Sequence, residues 1–298
     1  VNEPIAAADA WRVNKPINNV VPLPNGLLAM NGGKGSNLIG VFDPKDENPL
    51  LYLLTRKDEL ACPPVAMGGG LLVADRAGQV SLIDPKTGDD LAKPFMPRLE
   101  PGEKIDWMPP AAADENSAVL ADGRGKVYLL GIKDQPEPHI ALLGQTTVAN
   151  PVVSAMAVFG ATAFGADSAN MLGGFAIPKL ERSKEVNLET RCNWGPVRIG
   201  DVVFVTTDDD RLLCIDAEGN VTWRVELKHG PLAGAPLRHG ESFIIVARGG
   251  AIQRLDAANG NELGALEAGC PLATGASLLG DALLVGGYDG TIYKLRQP

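Results

Sequence analysis

Catalytic and metal centres are assembled from a short list of residue types, and this chain holds few promising sets of them: three histidines, four cysteines and one run of three adjacent carboxylates. His139, His229 and His239 stand in separate polar stretches between apolar runs, where solvated loop positions are the ordinary expectation. No Cys-x-x-Cys or Cys–His spacing suggests zinc. Cys62, Cys192 and Cys270 fall near the starts of non-adjacent sequence units, and Cys192 and Cys214 are a strand apart, so free thiols are expected rather than disulfides. Asp208-Asp209-Asp210 offers oxygen ligands to a hard cation, but it occupies a turn and nothing fixes further ligands. Gly32-Gly33-Lys34-Gly35-Ser36 has the composition of a phosphate loop without its spacing or its following helix. There is no Gly-x-Ser-x-Gly elbow. Asn220-Val221-Thr222 is a formal glycosylation triplet whose meaning depends on a secretory context. No catalytic set, metal site or cofactor is expected.

Residues suited to recognition are easier to find. Asp106-Trp107-Met108-Pro109 and Asn193-Trp194-Gly195-Pro196 place a Trp in similar surroundings at two points of the chain. A Trp at the rim of a cavity offers a large apolar face and one hydrogen-bond donor, as binding hot spots do. Arg76, Arg124 and Arg248 recur near polar turns and can form a basic rim. Each has an ordinary alternative: the indoles pack between neighbouring units, and the arginines are solvated turn charges. The candidate binding set is therefore Trp107, Trp194, Asn193, Asp106, Arg76, Arg124 and Arg248.

The elements that position these residues repeat along the chain. Leu71 to Leu91, Val202 to Val225 and Phe243 to Leu263 each read as an apolar run, a tight turn, a second apolar run ending in Asp, a Gly turn and a third run. The first turn recurs at Gly35, Gly78, Gly125, near Asn170, at Asp210, Gly250 and Gly290, a spacing of 40 to 47 residues. Short Val-, Ile- and Leu-rich runs favour strands. Repeats of that length predict the four-stranded blades of a β-propeller. Seven blades are expected, with the fourth, near Asn170, the loosest match. Asp84, Asp216 and Asp256 end the third strands, and their side chains are expected to cap the hairpins that follow. The lead-in to each first strand and the turn between second and third strands should share one face, around the channel mouth, which is where ligands are expected.

The last unit stops after its third strand, whereas blade five closes with Trp223-Arg224-Val225. Trp11-Arg12-Val13 supplies the counterpart, so residues 1–15 are expected to provide the outer strand of the last blade and close the ring. Residues 1–298 read as one all-β domain. The net charge of −9 and the lack of any Lys/Arg run argue against nucleic acid. No stretch suits a membrane-spanning helix; Pro151 to Ala166 is short and interrupted by Gly160. Beginning at Val1, the chain reads as a processed product or part of a longer one.

The stretch Leu212-Leu213-Cys214-Ile215-Asp216-Ala217-Glu218-Gly219-Asn220-Val221-Thr222-Trp223, with weaker copies at Val80 to Leu91 and Ile252 to Leu263, resembles the PQQ-like repeat family. That family comprises propellers of quinoprotein dehydrogenases and of bacterial outer-membrane assembly lipoproteins. WD40 propellers are an alternative relative, but their Gly-His and Trp-Asp marks are missing. The quinone enzymes of the family use an adjacent cysteine pair, which this sequence does not have, so it resembles the non-catalytic members. The resemblance implies a periplasmic or extracellular location and a scaffold that binds a protein or another ligand. A propeller enzyme, quinone-dependent oxidoreductase or metal-assisted hydrolase, is the second hypothesis, on analogy alone.

Overall fold

The computed structural model describes residues 4–5, 19–23, 26–31, 35–43, 45–46, 50–99, 103, 105–279, 282–289 and 291–296. The described residues form strands and turns in seven antiparallel sheets, the blades of a seven-bladed β-propeller. The chain divides into two compact units, Val13–Glu189 and Val1–Arg12 with Thr190–Pro298.

The short strand β1 (Pro4–Ile5) belongs to the second of these units. Unit Val13–Glu189 carries blades one to four. Blade one is β2 (Asn19–Pro22), β3 (Leu28–Asn31), β4 (Leu38–Phe42) and β5 (Leu50–Thr55). Blade two has β6 (Val65–Met67), β7 (Gly70–Ala74) and β8 (Val80–Ile83). Blade three is β9 (Ala111–Asp114), β10 (Ser117–Ala121), β11 (Lys126–Lys133) and β12 (His139–Thr147). Blade four is β13 (Ala157–Phe159), β14 (Thr162–Ala166), β15 (Met171–Ala176) and β16 (Glu181–Asn187). The other unit carries blade five, β17 (Cys192–Ile199), β18 (Val202–Thr207), β19 (Arg211–Ile215) and β20 (Val221–Glu226). Blade six is β21 (Leu237–His239), β22 (Ser242–Val246), β23 (Ala251–Asp256) and β24 (Glu262–Glu267). Blade seven is β25 (Ser277–Leu279), β26 (Ala282–Gly286) and β27 (Ile292–Arg296), completed by β1.

The second strands are mostly apolar because both of their faces are covered. Side chains alternate across a strand. In β7, Leu71 and Val73 join a core with Ile39 and Val41 of blade one, while Leu72 and Ala74 join one with Leu120 and Leu130 of blade three. In β22, Phe243 and Ile245 meet Phe204 and Trp223 of blade five, while Ile244 and Val246 meet Leu283 and Val285 of blade seven. The core therefore lies in layers between consecutive blades. Each fully buried Leu, Ile or Phe contributes about 1.5–3 kcal/mol.

The repeating turn is a real structural unit. Gly35, Gly78, Gly125, Asn170, Asp210 and Gly250 all have positive φ, between 57° and 111°. The loosely matched fourth unit thus uses the same turn, with Asn supplying the left-handed conformation it tolerates better than most residues. Gly290 lies outside the described residues. The hairpin aspartates act as caps: Asp84, Asp216 and Asp256 accept the amides of Lys86, Asn220 and Ala258 at 2.6, 2.7 and 2.8 Å.

Two expectations change in detail. Blade two lacks a regular fourth strand. Its outer segment touches β8 through isolated bridges at Ile83–Asp90 and Val80–Phe95 and touches blade three through Lys93–His139. Pro94 and Pro97 bracket Phe95-Met96, and two missing amide donors prevent a continuous ladder. In blade seven, β1 does take the outer position, pairing Pro4 with Tyr293 and Ile5 with Ile292. Trp11-Arg12-Val13, the segment expected there, lies outside the described residues.

Candidate functional site

At the turn ends of blades two, four, five, six and seven, the lead-in segment is fastened to the turn between second and third strands. Residues before the first strand bridge to the first residue of the turn: Leu60 to Asp75, Val152 to Asp167, Leu232 to Ala247 and Leu272 to Gly287. The next turn amide donates back to a lead-in carbonyl. Arg76 N reaches Glu59 O at 2.9 Å, Ser168 N reaches Pro151 O at 2.9 Å, Asp208 N reaches Arg191 O at 2.9 Å and Arg248 N reaches Pro231 O at 2.9 Å. Tyr288 N points to Pro271 O at 3.5 Å. The backbone is the same each time while the side chain varies among four types: Arg76, Ser168, Asp208, Arg248 and Tyr288. All five are exposed, Tyr288 at 63%.

The sequence-expected residues divide between the two units, and each group is described within its own. In unit Val13–Glu189, the exposed Arg76 pairs with Glu59 at 2.8 Å. Arg124 is one residue out of step with Arg76, because Asp122 N bonds Lys126 O as Asp75 N bonds Gln79 O. Its guanidinium is committed to Glu103 at 2.9 Å and to Asp122 at 3.4 Å. Asp122 is fully buried; its Oδ1 accepts the amides of Arg124 and Lys126, and its Oδ2 accepts the Tyr128 hydroxyl at 3.2 Å. Arg124 neutralises this carboxylate more than it decorates a rim. Asp167 repeats the pattern in blade four with Arg182 at 3.2 Å.

Trp107 is 1% exposed, and its indole donates to Gly78 O at 3.2 Å. Its ring meets Tyr128 edge-on at 5.4 Å. Met108 N bonds Ala121 O as Ala61 N bonds Ala74 O, so Trp107 stands where other blades place Leu60, Val152, Leu232 and Leu272. Both its apolar face and its donor are used between blades two and three. Asp106 beside it is exposed.

In the other unit, Cys192, not Trp194, pairs with the turn residue Thr207, so the two tryptophans are not equivalent. Trp194 is half-buried against the cluster holding Phe204 and Leu232. Asn193 is exposed, yet its amide donates to Thr207 O at 3.0 Å and its carbonyl accepts the Thr206 hydroxyl. Arg248 is exposed and its Nε donates to Leu232 O at 3.3 Å. Burial raises the Cys192 and Cys214 thiols to about 11, so neither is a nucleophile near neutrality. In the Asp208–Asp210 turn, Asp209 accepts the Thr190 hydroxyl at 2.8 Å and pairs with Arg211 at 2.9 Å. Hydrogen bonds from Thr207 and Thr190 hold its carboxyl below the usual range. Among the described residues no three His, Cys, Asp or Glu side chains gather as metal ligands, and no helix is long and apolar enough to cross a membrane.

Tyr288 was missed in the sequence because its unit was aligned on glycines and aspartates. Its signal was available: it follows the second strand of blade seven as Arg76 and Arg248 follow theirs.

Comparison with known proteins agrees with this geometry. A family model described as outer membrane protein assembly factor BamB matches residues 179–296, less than half of the chain. No curated protein matches the sequence. Among solved structures, BamB from Moraxella catarrhalis is similar at a TM-score of 0.64 and 14% identity, over 96% of this chain and 85% of that one. BBS1N, solved in complex with ARL6DN and soaked with mercury, is similar at a TM-score of 0.64 and 14% identity, over 100% of this chain and 95% of that one. At such identity these two likenesses concern the fold. The family match covers residues 179–296, and the two solved structures share the propeller fold.

Proposed function

We propose that the chain is a non-catalytic binding platform whose protein partner contacts the turn ends of the blades. One observation carries this reading: in five blades a hydrogen-bonded turn of constant backbone presents an exposed side chain that varies, Arg76 and Arg248 in blades two and six, Ser168 in four, Asp208 in five and Tyr288 in seven. A rigid repeat with variable exposed positions lowers the ordering cost of recognition and leaves the fold untouched when specificity changes. Asn193 and the half-buried Trp194 belong to the same end of blade five; within the other unit, Trp107 packs beneath the turn of blade two and donates to Gly78 O. The neighbour BBS1N, a protein solved in a protein complex, and the assembly-factor description of the matching family both favour a protein partner over a small substrate. The family description also favours a periplasmic or other extracytoplasmic location.

The test places a photo-crosslinking amino acid at Arg76, Arg248 or Tyr288, with Thr55 on an outer strand as the control, in cells expressing the full chain. A discrete protein adduct should form from the turn positions and not from Thr55. Equal labelling from all four positions would remove the reading. Addition of calcium and pyrroloquinoline quinone to purified protein should give only the summed visible spectra; a shifted quinone band would favour the enzyme reading instead.

A further inference from the structure

The irregular outer segment of blade two leaves a trough against blade three, wholly within unit Val13–Glu189. Phe95 pairs with Val80, the first residue of β8, and beyond it Met96, Pro97 and Arg98 run on without a partner strand among the described residues. The resulting cavity of about 420 Å³ has Phe95, Met96 and Leu142 on its walls and the Tyr128 ring at its base. Met96 and Leu142 are 50% and 46% exposed, unusually open for large apolar side chains facing one cavity.

Two cations, Arg98 and Lys126, line the same trough together with Gln145. No carboxylate pairs with Arg98 or Lys126 among the described residues. This contrasts with Arg56, Arg76, Arg124, Arg182, Arg211 and Arg238, each held by an acidic side chain. On a chain of net charge −9, two unpaired cations beside an apolar cavity mark a local preference for an anion. The third component is backbone. β12 is the terminal strand of its sheet, and its outer side is bridged at His139 by Lys93. From Leu142 onward no further strand of the described residues lies along it, so an extended chain entering the trough can add to its edge.

We propose that this trough binds an extended polypeptide segment in which an apolar side chain is flanked by carboxylates. The apolar side chain enters between Met96 and Leu142, and Arg98 and Lys126 hold the acidic groups. An available strand edge favours a polypeptide over a lipid carboxylate, which has no backbone to pair. None of the residues lining the trough is one of the exposed turn positions, so the titration below tests it without them.

The experiment titrates the purified full chain with three probes: the labelled peptide acetyl-Glu-Leu-Phe-Glu-amide, its lysine counterpart acetyl-Lys-Leu-Phe-Lys-amide, and dodecanoate. Binding is read by fluorescence anisotropy for the peptides and by calorimetry for dodecanoate. The acidic peptide should bind at least tenfold more tightly than the lysine peptide. The double variant Arg98→Glu/Lys126→Glu should reverse that preference, and Leu142→Ala should weaken both peptides several-fold. Lys86→Glu, an exposed charge in the hairpin at the other end of β8, should leave the acidic peptide's affinity unchanged. Arg98→Gln, with a circular dichroism melt matching the parent, provides the same direction of change if the double variant fails to fold. Equal affinity for the two peptides, insensitivity to Arg98 and Lys126, or binding of dodecanoate in place of the acidic peptide would each overturn the proposal.

Discussion

Asp122 shows how a residue's role depends on what surrounds it. Its carboxylate is fully buried, yet it accepts two backbone amides and a tyrosine hydroxyl and faces the Arg124 guanidinium. A buried carboxylate so satisfied is tolerable, whereas removing one partner strands the other. Asp122→Ala should lower unfolding free energy by about 1–3 kcal/mol in urea titrations, because the Arg124 and Lys126 amides and the Tyr128 hydroxyl lose their acceptor while Arg124 keeps Glu103. Tyr128→Phe should cost only about 1 kcal/mol, a single hydrogen bond. The Asp in this turn was visible in the sequence; its burial was not, because Asp75 and Asp208 in related turns look the same in one dimension. The thiols give a pH prediction. Folding raises Cys192 and Cys214 from the ordinary 9.0 to about 11 through burial. The folded state then holds more protons than the unfolded one between those values. Stability from this source is full below pH 9 and is lost as pH rises toward 11. Melting temperature should fall over that window, and less steeply in Cys214→Ala relative to its own value at neutral pH.

At the scale of elements, the tryptophans separate packing from exposure. Trp223 of β20 donates to Ala257 O of the next blade at 2.9 Å and lies over Gly260, where an added Cβ would come within 2.7 Å of the ring. Trp223→Ala and Trp107→Ala should each cost about 3–5 kcal/mol, measured by chemical denaturation. Trp194→Ala should cost less, because Trp194 is only half-buried. The outer strand β5 shows a different consequence of position. Leu50, Leu51, Tyr52 and Leu53 are 46%, 36%, 36% and 54% exposed. β5 ends its sheet, and an apolar edge can template association. Leu51→Lys/Leu53→Lys should reduce turbidity on concentration with a change in stability within about 0.5 kcal/mol, as expected for surface sites. The trough beside blade two had a sequence signal that was passed over. Pro94 and Pro97 interrupt the place where the repeat calls for a fourth strand, and only the resulting departure from the ladder opens the cavity.

For the whole molecule, β1 supplies a strand from the start of the chain to the sheet formed at its end. Deleting residues 1–5 should lower the melting temperature by several degrees, since β27 would lose its outer partner and expose a sheet edge; an unchanged melt would show that this pairing contributes nothing. By itself the sequence determined the number of repeats, the strand–turn–strand order, the hairpin aspartates and the positions needing positive φ. These are local properties: short-range periodicity and turn stereochemistry reach only a few residues along the chain. Tertiary structure alone decided that Trp107 is internal, that Arg124 neutralises Asp122 one residue away from the exposed Arg76 position, and that Tyr288 stands clear in solvent. Those outcomes depend on which side chains neighbouring blades bring into the same space, and a linear pattern does not encode that without the packing.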